Sequence, residues 1–160
     1  MSTPQTDPTV LTPQPGDATI PMRFEVTTLP VADVDRSRAF YERLGWRLDI
    51  DFMPAPGTRA VQFTPLGSHA SIQFASGPIA PTHGPLQNLL LIVDDIEAAR
   101  DDLTARGVEV GEIFHTVPGK GPVPGLDPQR QSYASRAAFA DPDGNTWVLQ
   151  EITERIPGRV

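Results

Sequence analysis

Phe139–Thr153 reads FADPDGNTWVLQEIT. Pro142 sets φ near about −65° and Gly144 supplies positive φ, so DPDGN turns the chain between two antiparallel strands. Asp141 and Asp143 carry the short side chains that brace such turns through local hydrogen bonds. TWVLQEI leaves the turn as a strand. An earlier stretch, FTPLGSHASIQF at Phe63–Phe74, has the same turn-and-strand form. The two align at an offset of 77, with Pro65 on Pro142, Gly67 on Gly144 and Gln73 on Gln150. Further upstream the offset is 62, for Val31 with Val93, Asp33 with Asp95 and Gly45 with Gly107. The chain is therefore two copies of one module. The 15-residue difference falls in TVPGKGPVPGLDPQRQ, Thr116–Gln131, a Pro/Gly-rich stretch of the second copy only.

Working outward, RFEVTTLPV is a β-branched strand. Asp33 or Asp35 then caps a helix that runs to about Leu44 and stops at Gly45, with Phe40 and Leu44 on its buried face. WRLDIDF, RAVQFTP and ASIQF follow as strands. In the second copy LQNLLLIVDD is a strand. IEAARDDLTARG is a helix with Ile96, Ala99 and Leu103 at helical spacing. VEVGEIF, SRAAFAD and TWVLQEI are three more strands. Each copy is βαβββ, and the fold class is α+β. Residues 1–21 are rich in Pro, Thr and Gln and read as a disordered tail. One domain spans 22–156, with module one at 22–76, module two at 86–154 and a lid loop at 116–132.

The 160 residues carry a net charge of −7 and no cysteine. Disulfides, thiolate nucleophiles and cysteine-based zinc sites are excluded. The acidic balance argues against nucleic acid and anionic membrane as partners and suits a neutral or cationic small molecule. No apolar run approaches the roughly 20 residues of a membrane span, and the expectation is a soluble, cytoplasmic protein.

Paired βαβββ modules, LPVADVDRSRAFYERLGW in the first and DPDGNTWVLQE in the second, resemble the vicinal oxygen chelate superfamily. That group includes glyoxalase I, extradiol dioxygenases and bleomycin resistance proteins. The resemblance covers about Arg23–Glu154. It implies two curled sheets forming an open cup, helices outside, and a small-molecule site inside. It also implies metal ligands on the first and last strand of each module. The first-strand places fall on Val26 and Asn88, and the last-strand places on Ser71 and Val148. None is a histidine or carboxylate, so the expected cofactor is none. The alternative is a divalent metal ion held by the atypical set Glu25, Gln73, Gln150 and Glu151.

Alternation puts Val148 and Gln150 on one face of their strand and Trp147, Leu149 and Glu151 on the other. Ser71 and Gln73 share a face in the same way. The expected ligand-binding set is Val26, Thr28, Ser71, Gln73, Asn88, Leu90, Arg136, Val148 and Gln150. Arg136 offers a planar fork for a carboxylate or phosphate. His115, beside the long loop, and Tyr133 are the acid/base candidates. His69 and His83 read as solvated loop histidines, and Trp46 and Trp147 as core. The leading expectation is a metal-free binder of a small organic molecule, with a homodimer as an option. The rival is a lyase, isomerase or dioxygenase of the same superfamily.

Overall fold

A computed structural model describes residues 16, 18–157 and 159. Most of the expected tail lies outside the described residues, and 18–21 are exposed without regular structure. The first module comprises β1 (Val26–Thr28), α1 (Val34–Arg43), β2 (Arg47–Ala55), β3 (Thr58–Thr64) and β4 (Ser71–Ser76). A single 3₁₀ turn, Gly77–Ile79, follows. The second comprises β5 (Leu89–Val93), α2 (Ile96–Ala105), β6 (Phe114–Val117), β7 (Gly121–Pro124), β8 (Ser135–Ala140) and β9 (Thr146–Glu151). The strands form two open sheets, ordered β1-β4-β3-β2 and β5-β9-β8-β6-β7. The α+β class and the paired modules stand as read from the sequence. No helix among the described residues is long and apolar enough to cross a membrane.

Helix starts obey the repeat. Asp33 caps α1 by accepting from the Arg36 amide at 3.1 Å, and Asp95 caps α2 from the Ala98 amide at 3.0 Å. Asp33→Ala and Asp95→Ala should each cost about 1 kcal/mol, measured by urea unfolding. Equal loss from Asp35→Ala would refute the assignment of Asp33 as the cap. Gly45 ends α1 at φ +78°, and a Cβ there would sit 2.8 Å from Arg106 Nη1. Only glycine suits that backbone without strain.

The sixth strand is displaced from its expected place. Of VEVGEIF only Phe114 is in a strand, because pairing with β8 begins there, at Phe114 opposite Arg136. Residues 108–113 run irregularly, held by the Gly111 amide on Ala138 O and by Arg100 Nε on Gly111 O. The long insertion is not a plain loop either. Its first part folds back as the β6–β7 hairpin, with Thr116 opposite Pro122. Pro122 and Pro124 lack amide hydrogens, which keeps β7 an edge that recruits no further strand.

The repeat register also shifts. Thr28 lies opposite Gln73 as Leu90 lies opposite Val148. Gln73 therefore matches Val148, an offset of 75, and not Gln150 as the sequence alignment had it. The cause is the longer connection between β3 and β4 after Gly67.

One core joins the modules. Val61, Phe63, Ile72 and Phe74 of the first sheet and Ala137, Phe139, Trp147 and Leu149 of the second are all buried in it. Helix α1 lies between them. The Tyr41 ring is 5.7 Å from Phe74 and 6.3 Å from Trp147, and Phe40 is 6.5 Å from Phe139. Trp46 packs edge-on against Trp147 at 5.1 Å, so both tryptophans are core.

The DPDGN turn is the clasp of this core. Asp141 Oδ1 accepts from the amides of Asp143 and Asn145, and its Oδ2 from the Tyr41 hydroxyl at 2.8 Å. Asp143 accepts from the Ala32 amide and from Arg36 Nη2, both at 2.9 Å. Asn145 donates to Pro30 O and accepts from the Leu86 amide. The two aspartates read as local turn braces thus also tie the second module to the first.

Candidate functional site

Both sheets turn their apolar faces to the same core, so pleat alternation points their other faces outward. On the outer face of the second sheet is an open hollow of about 370 Å³, lined by Asn88, Leu90, Phe114, Arg136, Val148 and Gln150. Strand register makes it: Leu90 is opposite Val148, and Arg136 is opposite both Gln150 and Phe114. Leu90, Phe114 and Val148 supply an apolar floor. The Gln150 amide donates to Tyr133 O at 2.8 Å, which holds its carbonyl end in place. Asn88 stands at the rim with φ 59° and donates its amide N–H to Thr146 Oγ1 at 2.8 Å.

The outer face of the first sheet carries a different hollow, of about 590 Å³, lined by polar groups. Glu25, Arg47, Asp49, Gln62, Thr64, His69 and Ser71 contribute to it. Thr64 Oγ1 bonds Asp49, lies 2.7 Å from Ser71 Oγ, and Arg47 Nε reaches Asp49 at 2.6 Å. Burial pushes the Asp49 carboxyl up, but Thr64, Arg47 and Gln62 together hold it below the usual range.

The expected lining is thus divided. Asn88, Leu90, Arg136, Val148 and Gln150 meet in one hollow, and Ser71 lies in the other. Val26, Thr28 and Gln73 share the outer face of the first sheet, with Val26 opposite Ser71 and Gln73 opposite Gln62. Within one chain the two sets meet only at their edges, where Ser71 and Leu90 both line a further hollow of about 370 Å³ with Phe24, Leu89 and Trp147. Sequence reasoning missed Phe114, because it set the sixth strand too early. It missed Arg47, Asp49, Gln62 and Thr64 as well, although alternation along WRLDIDF and RAVQFTP could have placed them beside Ser71.

The structure places three further expected features. His115 does not reach the hollow: it is buried on the face of β6 opposite Phe114, with Nδ1 2.8 Å from Gly125 O. Tyr133 faces the C-terminal segment, where its hydroxyl accepts from the Ile156 amide at 3.0 Å, and it is not among the residues lining the hollow. Residues 116–132 are not a plain loop, because 116–124 complete the β6–β7 hairpin. After the hairpin, 125–134 are strapped to the end of β9 by Tyr133 N–H on Glu151 O and by Arg130 on the Glu151 carboxylate.

A divalent cation does not fit the donors. Val26, Asn88, Ser71 and Val148 hold the implied places, and the register puts Gln73 in the place first given to Ser71. None is an imidazole or carboxylate, which such ions require in number. The atypical set fails at Glu151, which turns to the helix side and accepts from the Ile96 amide at 3.0 Å. Glu25 lies on the other sheet from Gln150. Among the described residues no three or more His, Asp or Glu are grouped to hold a metal ion.

Residues 23–149 match the family model described as the Glyoxalase/Bleomycin resistance protein/Dioxygenase superfamily. The chain is similar to the crystal structure of an antibiotic binding protein from Streptomyces sp. CB03234. Identity is 30% over 85% of this chain and 99% of that one, with a TM-score of 0.61. A glyoxalase/bleomycin resistance protein from the same organism is also 30% identical, over 81% of this chain and all of that one (100%), with a TM-score of 0.58. A superfamily member from Sphaerobacter thermophilus is 29% identical over 81% and 97%, with a TM-score of 0.56. No curated protein matches the chain.

Proposed function

Because the chain belongs to the glyoxalase/bleomycin resistance protein/dioxygenase superfamily, we propose that it binds a small organic molecule without a metal ion. The observation that carries this reading is the hollow of the second sheet. It has an apolar floor of Leu90, Phe114 and Val148 with two amides and a guanidinium at its edges, and no carboxylate or imidazole lines it. Such a surface gains affinity from apolar burial and orientation from a few polar groups. The similarity to an antibiotic binding protein supports the same reading.

The proposed cup closes between two copies. The outer faces carry large exposed apolar side chains: Phe52 is 58% exposed on β2 and Leu90 60% on β5. Ile50 and Ile92 lie beside them on the same faces. A homodimer that sets the first sheet of one chain over the second sheet of its partner covers both patches. It also brings the Ser71 and Gln73 face over the Val148 and Gln150 face. The acidic balance leaves nucleic acid and anionic membrane out of this reading.

The test is sedimentation velocity with thermal shift against a panel of aromatic small molecules. A dimer is expected, with stabilisation by apolar ligands that Val148→Asp abolishes. A monomer that no ligand stabilises would refute the proposal. One bound metal per chain, lost in Gln150→Ala, would instead favour a lyase, isomerase or dioxygenase.

A further inference from the structure

Arg136 is the cation of the second sheet's hollow, and its surroundings give it nothing to neutralise it. It is half-buried beside Leu90, Phe114 and Val148. Its Nε is buried without a hydrogen-bond partner. Among the described residues its side chain has no carboxylate partner, whereas other strand-borne and strap-borne arginines do. Arg47 closes on Asp49 at 2.6 Å, Arg59 on Asp35 and Asp51 at 2.6 and 2.8 Å, and Arg130 on Glu151 at 2.7 Å. The neighbouring Gln150 is a neutral amide anchored through its N–H on Tyr133 O, and it brings no counter-charge. A guanidinium partly removed from water and left without a counter-charge is costly to hold. A planar oxyanion restores what it lost, through two parallel N–H···O bonds of the charge-assisted kind.

We propose that the ligand of this hollow is an apolar, ring-bearing carboxylate, with the carboxylate on Arg136 and the ring over Leu90, Phe114 and Val148. The proposal rests on the small-molecule reading above and adds the ligand's charge. It runs against the net charge of −7, which describes the whole surface and not this hollow. The carboxylate has a second conceivable source, a side chain such as Glu25 from a partner copy, and the experiment separates the two.

Titration calorimetry with 2-naphthoate and its uncharged match 2-naphthamide is the test, on wild type, Arg136→Met and Arg136→Lys. Wild type is expected to bind the acid at least about tenfold more tightly than the amide. Arg136→Met should erase that preference and leave amide binding within about threefold of wild type. Arg136→Lys should keep part of the preference, as a point charge without the fork. Thermal melts check that each variant is folded. Equal binding of acid and amide to wild type would overturn the charge assignment while leaving the small-molecule reading intact. Binding of neither probe would overturn both. Loss of the dimer in Arg136→Met, without a wild-type preference for the acid, would assign the carboxylate to the partner copy and overturn the proposal.

Discussion

Asp141→Ala should lower the stability of the folded chain by about 3–5 kcal/mol, as the loss of a buried, fully engaged charge does. The carboxylate is 5% exposed and takes bonds from four donors on two modules. These are the Tyr41 hydroxyl, the Asn145 side-chain amide at 2.8 Å, and the backbone amides of Asp143 and Asn145. Removing it strands all four in a place water reaches poorly. The other polar partner of Tyr41 is no substitute, since Trp147 Nε1 donates to its oxygen at 3.1 Å and can accept nothing in return. Burial and then the Asp141 charge push the Tyr41 phenol well above its ordinary pKa, so it remains a donor. Tyr41→Phe leaves the carboxylate its other three donors and should cost less, about 1–2 kcal/mol. Urea unfolding checks both, and Asp141→Ala should melt about 10 °C lower than wild type. A cost below about 1 kcal/mol for Asp141→Ala would mean that the clasp does not join the modules.

Glu151→Gln should cost about 2 kcal/mol at neutral pH, the scale of a charged hydrogen bond inside a protein. The Glu151 side chain is 2% exposed, while Arg130 is 43% exposed and partly screened by water, which keeps the figure modest. Arg130 holds the carboxyl below its usual range. Burial opposes this, and the Ile96 amide assists it. A carboxyl whose folded pKa is depressed adds stability above its unfolded pKa of about 4.3. That stability is lost as pH falls through the lower, folded value. The gap between wild type and Glu151→Gln should therefore be full at pH 7 and close as the solution is acidified below about pH 4. A gap that does not change with pH would show that the loss is one of shape and not of charge. Were Glu151 instead a ligand facing the hollow, the substitution would alter binding and leave the melt unchanged.

The repeat was legible because its markers are local. Asp33 and Asp95 cap helices, and Gly45 and Gly107 end them, for reasons that lie within a turn of each residue. That Val148 and Gln150 share one face follows from pleat alternation in one strand. The match of Gln73 with Gln150 failed because an insertion after Gly67 changes register without changing residue type. His115 looked available in sequence because the long Pro/Gly-rich stretch follows it. It is buried because the β6–β7 hairpin brings Gly125 O against its ring.

By itself the sequence determined the α+β class, the doubled βαβββ module, the cap and stop of each helix, and the lack of strong metal donors at the implied places. Each is a property of residue type, spacing or local backbone preference. Only the tertiary structure decided how the modules meet, with α1 between two apolar faces and the DPDGN turn fastened to Tyr41. That arrangement separates the two polar faces, turns Glu151 towards Arg130 and leaves Arg136 uncompensated. These depend on which side chains approach from distant parts of the chain, 100 positions apart for Tyr41 and Asp141 and 21 for Arg130 and Glu151, and periodicity along one strand carries no information about that.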